Sequence, residues 1–129
     1  MKHSVLLTIA SLLSILFSTF HLADDIIRGM EKGGASNLIA IPILVVWLYG
    51  TLALAERRSG YVIILLGSIL GLAIPVVHMK GAGVGAQVAR APSGGFFFVW
   101  TMIALGVTAL FSIILSARGV WSPQWGRSR

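Results

Sequence analysis

Two histidines and two aspartates hold most of the chemistry this sequence offers. His21, Asp24 and Asp25 stand at i, i+3 and i+4, a spacing that puts them on one face of a helix. A carboxylate one turn from an imidazole can fix its tautomer, favour its protonation or join it on a metal ion. On a helix, Gly60, Gly67, Gly71 and His78 fall within about 40° of one another. His78 therefore projects from a face whose small residues admit a close neighbour.

Three chemistries fit this set. His21, Asp24, Asp25 and His78 are candidate ligands of a divalent metal or copper ion. His21 and His78 are alternatively the axial pair of a haem held between helices. The third possibility is an ion-paired structural cluster in which Arg28 or Arg90 neutralises the aspartates, with Met30, Glu31 and Met79 close by in sequence. Proton or cation transfer is a further use for the same groups.

The elements that must position these residues are four long apolar runs, 4–23, 37–55, 61–77 and 96–117. A bilayer core about 30 Å thick takes roughly 20 helical residues to cross. Backbone groups in lipid must be paired internally, so the choice is between helices and a closed barrel. The runs are continuously apolar rather than alternating, which selects helices. Hydrophobic residues make up 57% of the 129-residue chain and charged residues 11%; about 25% charged is usual for soluble domains. The expected fold is all-α: one four-helix membrane domain spanning residues 1–129.

Both histidines fall near the same membrane boundary, because an even number of crossings separates the end of run 1 from the end of run 3. The N-terminus, the loop 56–60 and the C-terminus share the opposite side, with six cations (Lys2, Arg57, Arg58, Arg118, Arg127, Arg129) against Arg28, Lys32, Lys80 and Arg90. The excess of positive charge predicts cytoplasmic termini and an extracytoplasmic His/Asp cluster. The first run is longer than a signal-peptide core and lacks a small-x-small cleavage site after it, so the expectation is that it stays in place. The net charge of +6 sits at membrane boundaries, where it meets anionic lipid, and the composition excludes a nucleic-acid partner.

Other features are organisational. Ser4, Thr8, Ser11, Ser14, Ser18, His21 and Asp25 form one polar stripe, within about 140°, along the first span. Such a stripe should face other helices or water. Ser36 or Asn37 is the expected cap of span 2, with Pro42 in its first turn. Gly67 and Gly71 make a small-xxx-small pair on span 3. Residues 80–95 predict a mobile outer loop. Phe96, Phe97, Phe98 and Trp100 predict an interfacial aromatic belt, and 118–129 a basic, tryptophan-bearing tail at the opposite interface.

The absence of cysteine excludes disulfides, thiolate metal sites and thiol relays. No Asp or Glu lies deep in any span, which removes proton-coupled exchange through a mid-membrane carboxylate. No residue is marked as a nucleophile, and the expectation is a non-enzyme. Two roles follow. One is an accessory or structural subunit, packing on other membrane subunits or on copies of itself through the Gly67/Gly71 face and the span 1 stripe. The other is a metal-, haem- or cation-binding membrane protein built on His21, Asp24, Asp25 and His78.

Overall fold

The computed structural model describes residues 2–29, 32–78 and 94–122. Among them are four long helices: α1 (His3–Ile27), α2 (Ala40–Ala53), α3 (Arg58–His78) and α4 (Gly95–Val120), with no strand. With the 3₁₀ turn Ala35–Ile39 running into α2, all four segments are long and apolar enough to cross a membrane. The molecule is a four-helix membrane bundle. Its outward faces carry Leu, Ile, Val and Phe exposed to what would be lipid, among them Leu66, Val107 and Phe111.

Helix α4 packs along both α1 and α3, while α2 lies outside against α3 and, more lightly, α1. At the rim bearing the N-terminus, Leu7, Tyr61, Ile64 and Leu115 form an apolar core cluster. Glycines set the close approaches. A side chain on Gly119 would meet the Tyr61 ring, and one on Gly67 the Trp47 indole. The Gly67/Gly71 face is thus filled by a side chain of this chain's own second helix.

Polar groups fasten the helices where lipid offers them no partner. The Trp47 Nε1–H donates to Ser11 Oγ at 2.9 Å. Thr51 spends its hydroxyl proton on the Trp47 carbonyl, also at 2.9 Å, so in the 2.7 Å contact between Ser11 and Thr51 it is Ser11 that donates. The circuit closes on itself and joins α1 to α2. Ser68 and Ser112 tie α3 to α4 at 2.8 Å. Ser11 is one member of the span 1 stripe, whose Ser14, Ser18, His21 and Asp25 also face inward.

Helix α1 continues past its apolar run to Ile27, since nothing breaks it before Gly29, which stops it at φ +69°. Other boundaries differ from the sequence expectation. Neither Ser36 nor Asn37 caps α2, which grows out of the 3₁₀ turn with no side-chain cap. Pro42 is its third residue, where its missing N–H removes no helix bond. Helix α3 starts at Arg58, and α4 continues through Arg118 to Val120, so the basic tail begins as helix. Most of the expected outer loop, together with Trp125, Arg127 and Arg129, lies outside the described residues.

Candidate metal centre

Helices α1 and α3 both reach one rim with their C-terminal ends, and α4 begins there. Six residues separate His21 from Ile27, the last residue of α1, about 9 Å of helical rise. His78 is the last residue of α3. Pro75, about one turn earlier, lies within the helix, which continues to the imidazole.

At this rim His21, Asp25 and His78 converge. One ligand atom from each lies within 4.8 Å of the other two. The Asp25 Oδ2 atom is shared, 3.5 Å from His21 Nε2 and 3.3 Å from His78 Nε2. The rings stand edge to face with centroids 4.9 Å apart. His21 is 1% exposed and Asp25 4%, while the His78 side chain keeps 22% and is the cluster's contact with the rim.

Hydrogen bonding defines the electronic state. His78 Nδ1 lies 2.9 Å from the Ile74 carbonyl, which can only accept, so Nδ1 carries the proton. In the neutral ring, Nε2 then presents a lone pair to a carboxylate oxygen. Two lone pairs at that distance repel unless a cation lies between them. A backbone carbonyl on the far nitrogen is also what orients metal-ligating histidines. His21 is the more exposed electronically: neither of its nitrogens has a hydrogen-bond partner, and nor has Asp25 Oδ1. Buried polar atoms are nearly always partnered.

Asp24, the fourth candidate ligand, goes elsewhere. The Arg28 Nε–H donates to its carboxylate at 2.7 Å, and Arg28 Nη2 donates to the Gly94 carbonyl at 2.6 Å. Asp24 therefore belongs to a clamp between the end of α1 and the start of α4. Neighbouring residues on a helix point about 100° apart, which is how two consecutive aspartates acquire different partners. Arg28 pairs with Asp24 rather than with Asp25, whose Oδ2 faces the two imidazoles. Arg90, Met30, Glu31 and Met79 lie outside the described residues.

Phe98 is a part of the site that the sequence reading assigned to the aromatic belt. Its ring centroid is 5.3 Å from that of His21 and 6.0 Å from that of His78, and it is 1% exposed. Phe96 and Trp100 do face outward. The distinction was present as a period: Phe98, Met102, Leu105, Ala109, Ser112 and Ser116 repeat along the buried face of α4 at helical spacing.

The geometry separates the ligand types. Metal–ligand bonds near 2.0–2.1 Å in a tetrahedral site put ligand atoms about 3.4 Å apart, which is the separation of the shared carboxylate oxygen from both imidazole nitrogens. For the alternative of a haem between His21 and His78, the rings stand in edge contact with centroids 4.9 Å apart and Phe98 against both, an arrangement that favours a single ion over a macrocycle. No protein family, no curated protein and no solved structure matches the chain. Fold and site together define a small four-helix membrane protein with a buried His/Asp cluster at one rim.

Proposed function

We propose that this membrane protein binds a divalent first-row metal ion, zinc or copper, through His21 Nε2, His78 Nε2 and Asp25. The observation that carries the reading is the convergence of these three ligand atoms around His21, whose two nitrogens have no other partner. A shared proton would satisfy the His78–Asp25 pair alone; one metal ion satisfies all three groups. Imidazole and carboxylate without sulfur suit zinc and copper(II) rather than copper(I). The bias of cationic residues supports an extracytoplasmic site with both termini cytoplasmic. Of the faces through which an accessory subunit would pack, Gly67/Gly71 is filled by Trp47 and the α1 stripe from Ser11 onward is buried within this chain, which favours the metal role.

The test is metal content and affinity of the full chain, purified in detergent without chelator and titrated with Zn²⁺ and Cu²⁺. One equivalent per chain is expected. His21→Ala, His78→Ala and Asp25→Asn should each weaken binding more than about 100-fold, since even changes outside the ligand set cost 10- to 100-fold. Circular dichroism should report unchanged helicity in all three. Binding of neither ion by wild type, or equal binding by His78→Ala, would remove the proposal.

A further inference from the structure

Among the buried hydroxyls of the described residues, Ser18 is the exception. Ser11, Thr51, Ser68 and Ser112 bond across helices. Ser14, Thr101 and Ser116 bond back to carbonyls of their own helices. Ser18 is only 6% exposed, and its Oγ has no partner. A serine in an apolar helix ordinarily takes the carbonyl four residues back, and a buried hydroxyl left unpaired is costly.

Its position accounts for the exception. Ser18 precedes His21 by three residues and Asp25 by seven, so it lies on the same face of α1, one turn nearer the bilayer centre. The second oxygen of Asp25, Oδ1, is also buried and unpartnered. A buried donor and a buried acceptor, both without partners, thus accompany three ligand atoms that leave a four-coordinate ion one ligand short.

We infer that the bound metal keeps a fourth, exchangeable position on the Ser18 side, filled by water or a small anionic donor; this rests on the metal reading of His21, Asp25 and His78. The Ser18 hydroxyl donates to that ligand. When the ligand is water, Asp25 Oδ1 accepts one of its protons. Three protein ligands with a fourth position open to exchange distinguish reactive zinc-type centres from closed structural ones.

The experiment uses the full chain in detergent, loaded with Co²⁺ in place of zinc, with azide as the probe. The visible bands of Co²⁺ report its coordination. Azide should shift them saturably in wild type. Ser18→Ala should retain one Co²⁺ per chain but bind azide about tenfold more weakly, as expected for losing a hydrogen bond to a charged group. Ser18→Thr, which keeps the hydroxyl, should recover most of the affinity. Ser14→Ala should match wild type, because that hydroxyl is committed to Ala10. Bands insensitive to azide, or equal azide affinity in Ser18→Ala, would overturn the inference while leaving the metal site standing. Loss of Co²⁺ itself from Ser18→Ala would also overturn it, since Ser18 would then hold up the site rather than serve its exchangeable ligand. Failure of wild type to take up Co²⁺, Zn²⁺ or Cu²⁺ would remove the metal reading and this one together.

Discussion

The carboxylate of Asp25 on α1 reaches across to α3, where its Oδ2 atom lies 3.3 Å from His78 Nε2. Helices α1 and α3 otherwise touch sparingly. The contact joins their C-terminal ends, with the Phe98 ring of α4 against both imidazoles.

That division of labour between adjacent aspartates predicts different fates for two conservative variants. Asp25→Asn should lose the metal. Asp24→Asn should keep it, and instead lower the thermal midpoint by an amount equivalent to about 1 kcal/mol, as for a partly exposed ion pair. Metal content and thermal unfolding of the two variants, measured side by side, check this. Equal metal loss in both would mean that the two carboxylates act together.

Acidification should release the metal. Protons and metal compete for the same imidazole nitrogens, and binding liberates the protons. Affinity therefore falls as pH falls, and returns when pH is restored. Equilibrium dialysis across a pH series reads the effect directly. A pH-independent affinity would point to ligands other than His21 and His78.

Packing around Trp47 should be more sensitive to added volume than to a lost hydrogen bond. Gly67→Ala drives a methyl group into the indole and should cost about 1–3 kcal/mol. Thr51→Val removes the acceptor of the Ser11 hydroxyl at nearly constant volume and should cost about 0.6 kcal/mol, the mean for inter-helix bonds in membranes. Thermal midpoints in one detergent give the order. If Thr51→Val proved the worse, the hydrogen-bonded circuit would outweigh the fit of the indole.

Gly94 and Arg28 should couple. Gly94 sits at φ +89°, and a Cβ there would come within 2.6 Å of Arg28 Nη2. Gly94→Ala alone should destabilise through both the clash and the left-handed backbone, the latter about 1–2 kcal/mol. Removing the Arg28 side chain relieves only the clash. In a double-mutant cycle with Arg28→Ala, the combined loss should therefore be smaller than the sum. Strict additivity would show that Arg28 moves aside from the added methyl group at no cost.

The site was legible in part, for a definite reason. A three- or four-residue spacing is short-range geometry, so the common face of His21 and Asp25 could be read directly. His78 could be assigned to the same end because each apolar run must cross the membrane once. Asp24 could not be told from Asp25, since both lie within reach of a histidine on an isolated helix and only the packing of α3 shows that His78 meets Asp25. Phe98 was hidden among neighbouring aromatics because local composition reports depth in a bilayer, not the direction a ring faces.

By itself, the sequence determined that the chain forms membrane-length helices and which residue faces avoid lipid, because apolar run length and 3.6-residue periodicity are properties of single segments. Tertiary structure alone decided that the Gly67/Gly71 groove takes Trp47, that Phe98 turns inward and that Asp25 rather than Asp24 joins both histidines. Those outcomes depend on how α1, α3 and α4 are rotated against one another. That rotation is set by many small packing and hydrogen-bond terms summed over all the helices, and no single stretch of residues records the sum.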